Sequence, residues 1–168
     1  STSGAWALPM AGDTIRMSIN PPAGKYQMQV TQSTDTATIG DVYYTFCLES
    51  NMEFYNNYTY LVQSVEDYAA DGGLSGADAF GRDYISDETR WLYASYFTGV
   101  FTGESNLENK IQNAIWYLEG EGDQYASSWN LLRTYATQLV TGAYDYSIFG
   151  WNIKAVNIVT VKADGSII

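Results

Sequence analysis

Apolar and polar residues alternate along two early segments of the chain. Ile15, Met17 and Ile19 are separated by polar residues, and residues 25–30 repeat this alternation. Period-two alternation is typical of a β-strand with one buried face. The intervening residues 20–24 (NPPAG) are turn-forming, so the pattern predicts a β-hairpin.

Segments rich in aromatic and β-branched side chains predict further strands. Residues 41–49 (DVYYTFCLE) and 58–65 (YTYLVQSV) have this composition. Residues 148–161 have it too, although their alternation slips near Ala155, which indicates a bulge or two short strands. The pattern therefore predicts β-structure in both the early and the late part of the chain.

The middle of the chain has the periodicity of helices. Residues 86–88 (SDE) predict the N-cap and acidic first turn of a helix that continues to about Phe97. Ser105 and Glu108 have the spacing of a capping box at the start of a second helix, and a third is predicted over residues 127–141. The residues predicted to face inward on the second and third helices are Leu107, Ile111, Ala114, Ile115, Leu118, Leu131, Leu132, Tyr135, Leu139 and Val140.

These elements predict a mainly β fold with an α insertion. We expect a β-sandwich or barrel core with about three helices packed at one side. The helical insert, around residues 86–141, belongs to a single domain that spans residues 21–168. Residues 1–20 are expected to form an N-terminal arm together with the first strand.

The composition of the 168-residue chain excludes several classes of protein. It has 19 Asp and Glu, 8 Lys and Arg and a formal net charge of −11, so it lacks the basic surface of a nucleic-acid-binding protein. It has no histidine to act as a base or metal ligand, and its one cysteine cannot form an internal disulfide. The composition therefore predicts a non-enzymatic protein without a required cofactor.

A low charge content and many tyrosines predict an extracellular protein. Only 16% of the residues are charged, against about a quarter in ordinary domains, while tyrosine occurs 15 times. No apolar run reaches transmembrane length. We therefore expect a secreted or cell-surface protein that does not insert into a membrane.

Two motifs resemble those of the thioester domains of bacterial surface adhesins. Residues 46–49 (FCLE) are similar to an aromatic–Cys motif on an early strand, and residues 112–116 (QNAIW) to a Gln-x-Ala-x-Trp motif on a helix. The longer strings TFCLE and QNAIWYLEGE resemble secreted relatives of that group, over about residues 25–163. The resemblance implies a thioester-domain-like β fold at the bacterial cell surface.

In such domains the cysteine is joined to a glutamine on a late strand, and the thioester captures a surface amine. The resemblance implies that Cys47 is the thioester cysteine and that Gln112, Ala114 and Trp116 wall its site. No glutamine follows Gln138, so the late-strand partner has no counterpart. The residue types favour another interpretation, in which Cys47 is an unreactive buried side chain.

Carboxylates in a stretch that also contains glycines are the candidates for a metal site. Asp71, Asp78 and Asp83 occur there, and oxygen-rich loops suit Ca²⁺. Their spacing does not match an EF-hand loop, so a solvated acidic loop is the favoured alternative. Glu119 and Glu121 are interpreted as the exit of the second helix.

The N-terminal arm predicts how copies of the chain associate. Trp6, Leu8 and Met10 alternate with Ala7 and Pro9, and the proline bars the arm from a central strand position. Such an arm can pair with an open sheet edge of a second copy, and repeated head-to-tail pairing builds a filament. In the alternative, the arm folds back on its own sheet or is disordered.

We therefore predict a non-catalytic extracellular bacterial surface or fibre subunit that self-assembles by strand exchange through its arm. One alternative is an adhesin that couples covalently to surface amines through a Cys47 thioester. Another is a Ca²⁺-dependent module that binds glycans through tyrosine side chains. The expected partners are copies of the chain itself, a host surface or a glycan.

Overall fold

A computed structural model of the chain describes residues 8–20, 24–50, 55, 58–70, 77–138 and 152–161. The strands in these ranges are β1 (Thr14–Asn20), β2 (Lys25–Gln32), β3 (Val42–Thr45), β4 (Tyr58–Glu66), β5 (Tyr68–Ala69), β6 (Asp83–Tyr84) and β7 (Ala155–Thr160). The helices are α1 (Asp87–Phe97), α2 (Leu107–Leu118) and α3 (Ala126–Leu132), and a 3-10 helix (Arg133–Gln138) continues from α3.

The main sheet is antiparallel and five-stranded, in the order β3-β2-β1-β4-β7. β1 and β2 pair as the predicted hairpin, with Met17 opposite Met28. β1 is also paired with β4, where Ile15 lies opposite Tyr60. The strand that the sequence grouped with the N-terminal arm is thus the central strand of the sheet.

The predicted fold class, mainly β with an α insertion, is confirmed. The sheet is open, so its strands do not close into the barrel that was one form of the prediction. β5 and β6 form a separate two-stranded sheet. The two sheets and the three helices together make the described part of the domain.

Apolar side chains are buried in two clusters. The first, which we call the sheet cluster, consists of Ile15, Met17, Met28, Val30, Tyr60 and Val62. The second, the helical cluster, consists of Phe46, Trp91, Leu92, Phe101, Ile111, Ala114, Ile115, Trp129 and Leu132. Phe46 comes directly after β3, so the chain passes from the sheet into the helical cluster at this residue.

The start of α2 differs from the prediction. Asn106 is the N-cap, with a φ of 50°, and it makes no side-chain capping hydrogen bond. The carboxylate of Glu108 accepts a hydrogen bond from the Tyr96 hydroxyl at 3.0 Å. The predicted capping box with Ser105 is therefore wrong, because a contact with α1 engages the glutamate.

The third helix is shorter than predicted. α3 ends at Leu132, and Trp129 and Leu132, three residues apart, form its buried face. Leu131 lies off that face and is exposed, which corrects the inward position predicted for it. Leu139 and Val140 lie outside the described residues.

Candidate functional site

Residues 46–50 (FCLES), which we call the FCLE segment, leave the sheet and meet α2. The sequence predicted a strand through residue 49, but β3 ends at Thr45. The Cys47 backbone N–H donates to Gln112 Oε1 at 2.8 Å, and Gln112 Nε2 donates to the Cys47 carbonyl at 2.7 Å. The buried amide of Gln112 thus satisfies the backbone groups that a neighbouring strand would otherwise pair.

The three residues of the helix motif have separate roles. Gln112 holds the backbone of Cys47, as described above. Ala114 is fully buried in the helical cluster. Trp116 packs against Tyr125 in a tilted arrangement, with 5.2 Å between the ring centroids. The described contacts therefore place Gln112 alone of the three in hydrogen-bond contact with Cys47.

The thiol of Cys47 is free and only 6% exposed. Burial raises its pKa to about 12, and a hydrogen bond with Tyr26 only partly opposes that rise. Because the thiolate is the nucleophilic form, this environment keeps the group in its unreactive protonated form at neutral pH. A thioester would also need a glutamine on a late strand. Gln138, the last glutamine of the chain, instead ends the 3-10 helix that follows α3.

Three buried carboxylates converge beside the FCLE segment, and we call them the carboxylate cluster. Glu49 belongs to the FCLE segment, Asp83 to β6, and Glu121 follows the end of α2. Their exposed fractions are 7%, 6% and 3%. One oxygen from each lies within 4.8 Å of the others. Residues far apart in the sequence thus meet at one buried point.

The carboxylates of the cluster differ in their hydrogen bonds. Glu121 Oε2 accepts from the backbone N–H of Ser50 at 3.2 Å and from its hydroxyl at 2.8 Å. Within the described residues, neither oxygen of Glu49 accepts a hydrogen bond from an N–H or hydroxyl group, and Oδ2 of Asp83 accepts none either. The cluster therefore contains buried oxygens that the described protein atoms leave unsatisfied.

Burial and mutual repulsion make these groups hard to ionise. Desolvation, together with the adjacent carboxylate of Glu121, raises the pKa of Glu49 to about 9. The same two causes raise the pKa of Asp83 to about 6. Glu119, which is also buried nearby, has its pKa raised to about 6 by burial, despite hydrogen bonds from Thr89 and Ser86. No positively charged side chain among the described residues lowers the pKa of these three groups.

The structure arranges the aspartates of the predicted metal site differently from the sequence-based grouping. Asp78 Oδ1 accepts from the backbone N–H groups of Phe80 and Arg82, and its Oδ2 forms a 3.0 Å ion pair with Arg82. Asp83 is instead grouped with the two glutamates of the carboxylate cluster. Asp71 lies outside the described residues.

Sequence reasoning missed Glu49 and Glu121 as members of a site. Both were within quoted strings, Glu49 in FCLE and Glu121 in YLEGE. The available signal was an acidic residue at or close to the end of an apolar run: Glu49 directly follows Leu48, and Glu121 lies three residues after Leu118. The helix-exit interpretation of Glu119 and Glu121 passed over this signal, since both side chains are buried.

The described part of the N-terminal arm begins at Leu8, and Trp6 lies outside it. Leu8 is half-buried and Pro9 is buried. Met10 is 45% exposed. Of these two apolar residues of the arm, Leu8 is therefore partly covered by the described part of the protein, and Met10 is not.

Comparison of the chain with protein-family models, curated proteins and solved structures gave no match. The helices within the described ranges are all too short or too polar to cross a membrane.

Proposed function

We propose that the chain is a non-catalytic subunit of an extracellular bacterial surface structure or fibre. Its N-terminal arm pairs with an edge strand of the next copy, which extends the assembly head to tail. The observation that carries this proposal is the open main sheet, whose two edge strands, β3 and β7, contain no charged residue and no proline.

Edge strands without lysine or proline are unusual for a protein that remains monomeric. Among the described strands, β3 pairs only with β2 and β7 only with β4. Natural proteins usually guard such edges with lysine, proline or bulges, because the unpaired backbone groups otherwise recruit another strand. The sequences VYYT in β3 and AVNIVT in β7 have β-forming residues in place of lysine and proline. The guards in the described residues are partial: a register shift in the β4–β7 pair, and the Tyr93 hydroxyl on the Tyr44 carbonyl of β3. These edges suit pairing with a second copy.

The arm departs from a fixed point on the domain. The N–H of Gly12 donates to the Val62 carbonyl at 2.8 Å, and the N–H of Val62 donates to the Asp13 carbonyl at 2.8 Å. These bonds anchor the chain to β4. Met10, just before the anchor, exposes an apolar side chain. An apolar segment that precedes a fixed point and has an exposed side chain is suited to docking on a neighbour.

The site chemistry supports a structural role over catalysis. Cys47 is buried as a protonated thiol, and Gln112 is engaged with the Cys47 backbone. The low charge content and the FCLE and QNAIWYLEGE motifs favour the extracellular bacterial setting. These features fit a subunit that must be stable rather than turn over a substrate.

Assembly of the full chain tests the proposal. We expect elongated assemblies of the wild-type chain in electron micrographs and a mass that grows with concentration in light scattering. The triple variant W6S/L8S/M10S removes the apolar face of the arm and should remain monomeric. The matched control A5S/A7S changes the other face and should assemble like the wild type.

Two results would oppose the proposal. The first is a wild-type chain that stays monomeric at every concentration while its arm is cleaved by protease. The second is a triple variant that assembles as the wild type does, because the arm would then not be the contact. A synthetic peptide of residues 1–12 adds an independent readout, since in excess it should cap free edges and shorten the assemblies.

A further inference from the structure

We propose that Glu49, Asp83 and Glu121 bind one Ca²⁺ ion, which joins the FCLE segment, β6 and the residues after α2. This site is distinct from the arm and the sheet edges, so it stands or fails independently of the proposed assembly. It also differs from the aspartate grouping predicted from the sequence, with which it shares only Asp83.

The spacing of the ligand atoms fits a calcium ion. One oxygen of each carboxylate lies within 4.8 Å of the other two. Calcium–oxygen distances are about 2.3–2.6 Å, so ligands on opposite sides of the ion are separated by about 5 Å. The three oxygens can therefore contact one central ion without a large movement of the segments that carry them.

Unsatisfied buried oxygens provide the second, independent observation. Glu49 is 7% exposed, and within the described residues both of its carboxylate oxygens lack a hydrogen-bond donor. Oδ2 of Asp83, also buried, lacks one as well. Leaving such groups buried without a partner is costly, whereas a cation among them supplies the missing interaction.

Among the described residues, no lysine or arginine side chain pairs with Glu49 or Asp83. The ion pairs between described residues join Arg82 to Asp78, Lys110 to Glu104, and Arg90 and Lys154 to other aspartates. None of them involves Glu49 or Asp83. In the described part of the protein, no lysine or arginine therefore offsets the charge that these two carboxyl groups acquire when they lose their protons to a bound cation.

The donor set selects the type of metal. All three ligands are carboxylate oxygens, which are hard donors suited to Ca²⁺ or Mg²⁺, and the chain has no histidine. Mg²⁺ loses its water ligands reluctantly and is seldom held in an all-protein site. A buried cluster with several carboxylates therefore favours Ca²⁺.

A buried ion at this point has a structural role. The ligands come from the FCLE segment, β6 and the exit of α2, so the ion cross-links parts of the chain that are distant in sequence. The chain has a single cysteine and cannot make such a link with an internal disulfide. Because the ligands are buried, the ion does not bridge to a glycan on the surface.

The test uses the full chain after removal of metal with EDTA. Titration with CaCl2 should release or absorb heat with a stoichiometry of one ion per chain in calorimetry. The same titration should raise the Tm of the chain saturably, because a ligand that binds only the folded state stabilises it. MgCl2 should give a smaller rise at equal concentration.

Matched carboxamide variants locate the site. Glu49→Gln and Asp83→Asn should each abolish the calcium-dependent rise in Tm. Asp78→Asn is the control, because Asp78 is an exposed aspartate that is paired with Arg82, and this variant should respond like the wild type. Glu49→Gln preserves the side-chain shape and resembles the protonated carboxyl group of the metal-free protein, so it should fold without metal and keep the test informative.

Three outcomes would overturn the proposal. One is a folded wild-type chain that shows neither calcium heat nor a change in Tm, in which case the carboxyl groups hold protons rather than a cation. Another is a folded Glu49→Gln variant with an unchanged calcium response. The third is an equal loss of response in Asp78→Asn, which would indicate nonspecific binding to an acidic surface.

Discussion

The sheet and the helical half of the molecule are held together in different ways. In the sheet, backbone hydrogen bonds between adjacent strands place mainly aliphatic residues, such as Met17 and Met28, in one cluster. In the helical half, aromatic side chains supply much of the core, and Trp91 packs edge-on against Phe101 at 5.5 Å and Trp129 at 6.3 Å. The sheet thus relies on a repeated pattern, and the helical half on individual side chains.

Buried polar side chains connect the two halves. Gln112 of α2 binds the backbone of Cys47, and Tyr93 of α1 donates to the Tyr44 carbonyl of β3 at 2.7 Å. Arg90 donates to the carbonyls of Ile85 and, near β7, Ile153. The junction therefore depends on a few long-range contacts, and substitutions there should be more harmful than similar ones on the outer sheet.

The largest expected effect is loss of an aromatic residue from the helical cluster. Phe101 is fully buried, and Phe101→Ala should lower the free energy of unfolding by about 3–5 kcal/mol through lost burial and a cavity. Met17→Ala in the sheet cluster should cost about 2–5 kcal/mol. Urea denaturation of both variants measures these differences.

Hydrogen exchange of the same two variants shows whether the sheet and the helical half unfold together. If the halves form one cooperative unit, each substitution should accelerate exchange of the slowest amides in both β1 and α2. Acceleration confined to the half that carries the substitution would contradict a shared unit and show that the junction contacts are weak.

Removal of the Gln112 side-chain amide should have the next largest effect. Gln112→Leu leaves the buried N–H and carbonyl of Cys47 without their partners, which should cost about 2–4 kcal/mol in the free energy of unfolding. Gln63→Leu is the matched control on exposed β4 surface and should change stability by less than about 0.5 kcal/mol. Equal effects of the two substitutions would show that the Gln112 contact does not stabilise the junction.

A smaller loss is expected where the hairpin turn approaches α2. Gly24 has a φ of +110°, and a Cβ there would lie 2.6 Å from the backbone carbonyl of Glu108. Gly24→Ala should therefore cost roughly 2–3 kcal/mol, from backbone strain and the clash together. Gly40→Ala is the control, since Gly40 has a φ of +94° but no atom within 4 Å of a Cβ. Thermal unfolding should show a clearly lower Tm for Gly24→Ala, and equal Tm values would place the close approach in doubt.

The smallest change is expected when the folded protein is treated with a thiol reagent, because the Cys47 thiol should not react. Because the thiol is buried and its pKa is raised to about 12, iodoacetamide at neutral pH should label it only after unfolding. Intact mass measurement should find the unmodified chain, without the loss of ammonia that thioester formation requires. Loss of ammonia that is reversed by methylamine would instead support the covalent adhesin.

The sheet and the first helix could be predicted because their signals are local. Alternation and a turn between residues 15 and 30 were enough for the β1–β2 hairpin. The predicted strand at 58–65 matches β4 (Tyr58–Glu66). Ser86 caps α1 as predicted, and its hydroxyl accepts from the Thr89 N–H at 3.1 Å. Each feature depends on residues that are close together in the chain.

The site could not be predicted in the same way. The alternation of residues 41–49 continues past Thr45, but Gln112, 65 residues later than Cys47, satisfies the backbone that a strand partner would otherwise pair. The carboxylate cluster combines three distant segments, whereas sequence proximity favoured grouping Asp83 with Asp78. Long-range packing, which a single sequence does not display, decides both features.

The most direct test of strand-mediated assembly is amide hydrogen exchange on assembled and monomeric protein. In the monomeric W6S/L8S/M10S variant, the outward-directed amides of β3 and β7 should exchange quickly, and those of the central strand β1 slowly. In wild-type assemblies we expect new protection of the amides of one edge strand and of the arm up to Leu8, with β1 unchanged. Edge amides that exchange equally fast in assembly and monomer would contradict it.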